Sequence, residues 1–448
     1  MGKDKNAAAD AVYDARALGG GKMLALGFQH MFAMFGATVL VPALTGLSVS
    51  VTLLFAGIGT LLFHMLTKWK VPAFLGSSFA FLGGYAAIAP ILEDGSASPL
   101  LPYACFGVAC AGLVYLVLAG LFKAFGVRKV MRFFPPIVTG PIIISIGLNL
   151  SSTAIASCNA SWGVALVAIV VVIVCNIWGK GMIRIIPILM GVIASYAVGA
   201  MFNQTDFSAV SQAAWIGPPV DWGKSVFGLF TGGEVDKTLL LTAAITIVPI
   251  SLATIVEHIG DICAISSTCG QNFVEDPGLH RTLTGDGLAT SLAALFGAPA
   301  NTTYGENTGV LALSRVYDPR VVRIAAVLAI IFSFCPKFSA VISAMPAATM
   351  GGVSLILYGM ISAVGVRNVV ENQVDFTKSR NVIIAALILV LAIGINYSPS
   401  GAITIGAVSL SGLAVASIVG IAVNAILPGK DYEFGRPEQG ASSVSFKV

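Results

Sequence analysis

VPAFLGSSFAFLGG (Val71–Gly84) and APANTTYGENTGV (Ala298–Val310) interrupt a chain that is otherwise a succession of long apolar blocks. Both begin near proline and are crowded with glycine, serine, threonine or asparagine. Asn301-Thr302-Thr303-Tyr304-Gly305 favours extended backbone, and Glu306 and Asn307 would be costly in hydrocarbon. Irregular backbone at membrane depth persists only where protein or a water-filled cavity satisfies its hydrogen bonds. Matched interruptions in corresponding positions of two halves point to a transporter's binding site. A half-helix that starts there directs unbonded N–H groups at whatever sits beside it.

The surrounding composition fits that reading. Of 448 residues only 10% are charged and 56% are hydrophobic, with a mean hydropathy of +0.90, whereas soluble domains carry about 25% charged residues. The chain therefore reads as a polytopic membrane protein. Disorder is excluded by the lack of any extended polar, highly charged region. A dispersed net charge of +4 gives no footprint for nucleic acid. The seven cysteines are odd in number, fall mostly in apolar blocks and show no metal-ligand spacing.

A spanning helix needs roughly 20 mainly apolar residues. That rule predicts fourteen spans, at 23–44, 49–67, 71–91, 101–124, 135–153, 161–178, 185–203, 238–262, 283–297, 301–315, 321–344, 347–366, 380–397 and 402–427. With the N-terminus inside, 22 of the 25 Lys and Arg fall on the cytoplasmic side, and only Lys224, Lys237 and Lys337 fall outside. Both termini are thus expected in the cytoplasm, with residues 1–21 a polar leader rather than a cleaved signal. The long outside connection at 203–237, with Trp215 and Trp222 as interfacial anchors, leaves seven spans on each side. An odd number per half makes the halves enter the membrane in opposite senses, an inverted repeat.

Few charges lie within the spans. Glu257 and Asp261, in ATIVEHIGDI, are four apart and share a helical face. Two carboxylates there disfavour joint ionisation, which suits reversible proton uptake. His258 points away from that face and reads as structural or interfacial. Glu306 lies at the expected break beside Gly305, where backbone can approach a ligand closely. His30 in GFQHMFAMFGA faces the site or bonds a neighbouring carbonyl. Phe79 stacks on a flat ligand or simply packs. No phosphate-binding G-x-x-x-x-G-K-[ST], H-E-x-x-H, arginine-repeat span or TVGYG filter occurs. These absences set aside an ATP-driven pump of one chain, a zinc hydrolase, a voltage sensor and a potassium-type channel.

Several strings carry a resemblance: QHMFAMFGATVLVP (Gln29–Pro42), PAFLGSSFAF (Pro72–Phe81), ATIVEHIGD (Ala253–Asp261), DPGLHR (Asp276–Arg281), NTTYGENTGVLALSRV (Asn301–Val316) and GGVSLILYGMI (Gly351–Ile361). In these the chain resembles the nucleobase–ascorbate transporter family (nucleobase:cation symporter-2), and within it the bacterial uracil-type members. The resemblance implies an all-α membrane fold of seven plus seven segments, with short strands in segments 3 and 10. It implies a core domain from 22–133 and 238–345, a gate domain from 134–237 and 346–428, and a cytoplasmic tail at 429–448. Homodimers joined through the gate domains are implied as well.

By the same resemblance Glu257 and Glu306 match the carboxylates that hold the polar edge of a pyrimidine. Phe79 and Gly305 match positions whose amides meet substrate oxygens, with Ser78 and Tyr304 lining beside them. His30 matches a site-facing histidine, and Tyr358 a gate-domain aromatic. Asp261 departs from the uracil-type pattern, which carries histidine there. Glutamate at 306 is the uracil-type choice, glutamine the purine-type one, and a carboxylate accepts from the ring N–H groups of uracil.

The expected protein is therefore no enzyme and uses no cofactor beyond a proton gradient. It imports uracil with protons across the cytoplasmic membrane, with Glu257, Asp261 and His30 as proton-coupling candidates. Its partners are nucleobase, protons, membrane lipid and a second copy of itself. The alternative is a purine–proton symporter of the same architecture.

Overall fold

The computed structural model describes residues 11–92, 96–231, 235–405 and 408–429; the side chains of residues 35–37, 127–128, 185, 306, 405 and 408–409 lie outside the description. Helices α1 (Gly20–Thr45) and α2 (Val49–Leu66) lead to strand β1 (Leu75–Ser77), a 3-10 turn (Phe79–Phe81) and the short α3 (Leu82–Ile88). Then follow α4 (Leu101–Phe125), α5 (Val127–Met131), α6 (Pro136–Cys158), α7 (Trp162–Trp178), α8 (Met182–Ile185), α9 (Pro187–Met201) and α10 (Ser208–Gln212). The second half contains α11 (Lys237–Ile247), α12 (Ile250–Cys269), α13 (Leu279–Leu295), β2 (Asn301–Thr303), α14 (Gly305–Ser314), α15 (Pro319–Ser333) and α16 (Pro336–Ser343). It ends with α17 (Ala347–Glu371), α18 (Ser379–Asn396), β3 (Ala402–Ile405), β4 (Val408–Ser411) and α19 (Gly412–Ile426).

Among the described residues seven helices are long and apolar enough to cross a membrane, and an eighth if α15 and α16 form one bent span. The protein is an integral membrane protein. Segments expected as single helices differ in three places. The stretch 321–344 breaks at Cys335 (φ −109°, ψ 89°) before Pro336, and its two helices bend by 86°. Proline lacks an N–H and pushes the preceding residue out of the helical region. Segment 8 keeps helical dihedrals through Val248-Pro249, where α11 meets α12, and runs on past its expected end to Cys269, where Gly270 (φ +64°) ends it. Ala402–Ile405 and Val408–Ser411, expected to begin a helix, pair antiparallel as β3 and β4. Ala402-Ile403-Thr404-Ile405 alternates with the period of a strand, and helix starts only at Gly412, capped by the Ser411 hydroxyl.

Small residues set the closest helix crossings. A Cβ on Gly287 of α13 would lie 2.6 Å from the Gly112 carbonyl of α4, and one on Gly112 would lie 2.6 Å from the Gly287 carbonyl. Nothing larger than glycine fits at that crossing, the means by which membrane helices gain close packing without a hydrophobic drive. It presses the middle of α13 against α4.

The two interrupted segments meet. β1 and β2 pair antiparallel, with Leu75 opposite Thr303, Gly76 opposite Thr302 and Ser77 opposite Asn301. Backbone bonds extend the ladder at both ends, from Ser78 N–H to Ala300 O (2.9 Å) and from Tyr304 N–H to Phe74 O (3.0 Å). Side chains from neighbouring helices satisfy the rest. Thr60 Oγ1 accepts from Leu75 N–H at 2.9 Å, Thr290 Oγ1 donates to Asn301 O at 2.9 Å, and Asn301 Nδ2 donates to Phe55 O at 2.7 Å. Extended backbone inside a helical bundle is stable because these groups replace water.

Candidate functional site

Each strand of the crossing runs straight into a helix. β1 passes through Ser78 into the Phe79–Phe81 turn, and β2 passes through Tyr304 into α14; neither start has a side-chain cap. Two helix beginnings, with first-turn N–H groups not used within the helix, therefore leave opposite ends of one three-pair ladder. Ser78 and Tyr304 are themselves buried. The Tyr304 hydroxyl is turned to β1, donating to Ser77 O at 2.8 Å and accepting from Thr38 Oγ1 at 3.2 Å. It braces the crossing.

α12 packs on both the Phe79–Phe81 turn and α14, and its two faces differ. On one face Glu257 and Gly260 are exposed and Asp261 is half-buried. The shared face of the two acids is thus the less buried face of the helix. A Cβ built on Gly260, on Gly83 of α3 or on Gly309 of α14 would meet no atom within 4 Å. Asp261 reaches across to α14: its Oδ1 would lie 3.4 Å from a Cβ on Gly305, and its Oδ2 accepts from Thr303 Oγ1 at 3.1 Å. A carboxylate at a helix N-terminus is stabilised by the aligned peptide dipoles.

The other face of α12 is sealed. His258 is fully buried, as is Asp286 on α13. His258 Nδ1 stands 3.2 Å from Asp286 Oδ2 and 3.2 Å from Thr303 Oγ1. Thr303 therefore touches both Asp261 on the open side and His258 on the sealed side. A carboxylate oxygen can accept from a protonated imidazole nitrogen at this separation. His258 Nδ1 is the atom nearest both Thr303 Oγ1 and Asp286 Oδ2, so one ring nitrogen faces the hydroxyl and the second acid together.

His30 is buried on α1 and meets the first turn of α14 through Asn307, whose Nδ2 lies 3.1 Å from both His30 Nδ1 and His30 O. The Glu306 side chain lies outside the described residues; its backbone is in the first turn of α14. Phe79 is half-buried at the start of its turn. Tyr358 is buried on α17 in the same apolar cluster as Tyr304; α17 packs along α6, where a Cβ on Gly147 would strike the Tyr358 carbonyl at 2.1 Å. The structure thus joins His30, Asp261, Gly305 and Tyr304 around one crossing, with Glu257 and Phe79 on elements packed against it.

Asp286 and His64 escaped the sequence reading. Asp286 lies in TLTGDGLATS, within the ninth predicted span, and an ionisable residue in a span is itself a functional signal. His64 is buried on α2 and its Nε2 meets Ala73 O at 2.8 Å, fixing the approach to β1. A separate cleft of about 820 Å³, with Tyr13, Trp69, Tyr317 and Arg323 in its walls, contains none of these site residues. Chemically, the open face sets carboxylate acceptors beside helix-start N–H donors. That arrangement complements a flat ligand that presents both ring N–H groups and carbonyl oxygens.

Residues 21–401 match the family model described as "Permease family". The uracil permease of Bacillus caldolyticus is 42% identical over 422 residues, covering 92% of this chain and 93% of that one. The uracil permease of Bacillus subtilis (strain 168) is 40% identical over 413 residues, covering 89% and 91%. Among solved structures, the transmembrane domain of the cyanobacterial bicarbonate transporter BicA matches with a TM-score of 0.59 at 15% identity, covering 93% of this chain and 99% of that one. At that identity the likeness concerns the fold alone.

Proposed function

Because this chain belongs to the nucleobase–ascorbate transporter (nucleobase:cation symporter-2) family of permeases, we propose that it is a proton-coupled importer of uracil in the cytoplasmic membrane. It is a transporter, not an enzyme. The observation that carries the reading is the β1–β2 crossing with Glu257 and Asp261 on the open face of the helix beside it. Neutral uracil sits there. Glu257 and Glu306 accept from its N–H groups, and the amides at Phe79 and Gly305 donate to its carbonyls. Ser78 and Tyr304 shape the wall, and Tyr358 closes the pocket from the gate side.

Protons are exchanged among Glu257, Asp261 and His30, and the His258–Asp286 pair, linked to Asp261 through Thr303, holds one out of reach of solvent. Fourteen segments in two inverted halves, both termini cytoplasmic, are the membrane arrangement that goes with this reading. It draws support from two matched interruptions that pair antiparallel. The core, 22–133 with 238–345, then shifts against the gate, 134–237 with 346–428, to expose the site alternately. The protein works as a homodimer in lipid.

The test is uptake of labelled uracil into proteoliposomes under an imposed pH gradient, with unlabelled xanthine and guanine as competitors. Saturable uptake that stops when the gradient is collapsed is expected. Uptake indifferent to the gradient removes the proton, and saturable uptake of labelled xanthine with none of uracil makes the protein a purine carrier.

A further inference from the structure

The described part of the polar leader ahead of α1 is tied into the fold. Val12 forms a parallel bridge with Val316: its N–H donates to Arg315 O at 2.9 Å, and Tyr317 N–H donates to Val12 O at 2.8 Å. The Tyr13 hydroxyl donates to the carbonyl of Cys269, the last residue of α12, at 2.8 Å. Its ring lies against Tyr317, with centroids 5.5 Å apart. Asp14 accepts from Arg320 Nη1 at 3.0 Å. Ala15 N–H donates to the buried Asp318 carboxylate at 2.8 Å, and the same carboxylate group caps α15 by accepting from Arg320 N–H. Ala15, Val316 and Val321 are buried together, with Leu18, Met23 and Leu26 packed on them.

These contacts collect four helix ends, the start of α15 at its Asp318 cap among them. α1 begins just after them, α12 ends on Tyr13, and α14 ends at Arg315, in the left-handed conformation (φ +53°), one residue before the bridge. Of these, α1, α12 and α14 carry His30, Glu257 with Asp261, and Glu306. Asp261 is eight residues from the Tyr13 contact and Gly305 ten from the Arg315 contact, or about 12 and 15 Å along a helix. A rigid helix transmits a displacement at its end to the groups along it, and site groups displaced by about 1 Å lose much of their effect.

We propose that residues Val12–Ala15 form a clasp whose Tyr13 and Asp14 are positioning residues: Val12 ties the end of α14, Tyr13 the end of α12 and Asp14 the start of α15 to the chain entering α1, so that the acids of α12 keep their place against the start of α14 while substrate is bound. The clasp stays closed through the transport cycle, because every element it touches lies in one of the two proposed moving parts. It is also indifferent to pH in the working range. Asp14 is drawn down to about 2, chiefly by its bond to Arg16 with help from Arg320. Its charge, and whatever the ion pair adds, is complete above the ordinary carboxylate range and lost only as pH falls through that value.

The proposal rests on the uracil-site reading, and one readout is independent of it. The full chain in lipid carries Tyr13→Phe with Asp14→Asn, substitutions that keep shape and remove only the hydroxyl and the charge. Hydrogen exchange at residues 301–308 is expected to quicken by about 10-fold as the crossing loosens locally, and Asp14→Glu alone should stay near wild type. Unchanged exchange at 301–308 overturns the clasp whatever the substrate proves to be. For uracil, Kd is expected to rise roughly 5-fold, about 1 kcal/mol, with the maximal rate of uptake kept. A fallen maximal rate with unchanged Kd contradicts positioning. Val12→Cys with Val316→Cys joins the two residues of the parallel bridge; paired strands run about 4.8 Å apart, and a disulfide needs a Cα separation of roughly 4.4–6.8 Å. The cross-linked protein should transport as before, and a block on oxidation that reduction relieves would mean that the clasp must open. If the wild-type chain binds no uracil, the functional reading falls, and hydrogen exchange still decides the clasp.

Discussion

The two faces of α12 treat charge in opposite ways. On one, Glu257 is exposed, on the same side as Gly260, where an added Cβ would meet no atom within 4 Å. On the other, His258 and Asp286 are fully enclosed, 3.2 Å apart, behind a helix crossing that admits only glycine. An exposed acid can exchange partners, and so can grip and release a ligand. An enclosed pair can change only its shared proton, since removing one member leaves the other charged, buried and alone. Thr303, on the strand between them, is positioned to let each side sense the other.

The sharpest way to break that contrast is Glu257→Gln, which keeps shape and turns one acceptor oxygen into a donor. A charge-assisted hydrogen bond is worth about 1.5–3 kcal/mol, so uracil binding should weaken by roughly 10- to 100-fold, as equilibrium binding to purified protein would record. Asp286→Asn should do the converse. Binding is expected to hold within about 3-fold, while uptake no longer responds to the imposed pH gradient. If Asp286→Asn abolishes binding and spares the gradient response, the roles of the two faces are reversed. Thr303→Val removes the hydroxyl that joins them at constant shape. One net hydrogen bond of about 1 kcal/mol should appear as a rate of coupled uptake lowered roughly 5-fold. The smallest effect belongs to Gly260→Ala. The added methyl meets no atom within 4 Å, so thermal stability should be unchanged and uracil affinity should move by at most about 3-fold. A large loss of stability there would mean that the open face is filled.

Much of the crossing was legible in the sequence for local reasons. Asn301-Thr302-Thr303 disfavours helix by its own side-chain chemistry, and strand β2 falls there. Glu257 and Asp261 share a face because four residues is about one helical turn. What could not be read depends on partners distant in sequence. Asp286 sits between two glycines in a stretch with the look of a turn, and its histidine lies 28 positions back, on another helix. That its glycine neighbour exists to admit Gly112 of α4 is visible only once the helices are packed. The clasp is less legible still. Val12–Ala15 has no periodicity, and its contacts lie some 300 residues away. The pairing of Ala402–Ile405 with Val408–Ser411 is a different failure, in which the high apolar content concealed a strand-like alternation that was present all along.

Uracil affinity measured against pH, in the wild-type protein and in Asp286→Asn, tests most directly whether the enclosed pair holds the proton that the open face uses. Binding linked to proton uptake must tighten as pH falls. The account predicts a Kd that drops between pH 8 and pH 6 in the wild type and stays level in Asp286→Asn. The same pH dependence in both proteins would contradict it.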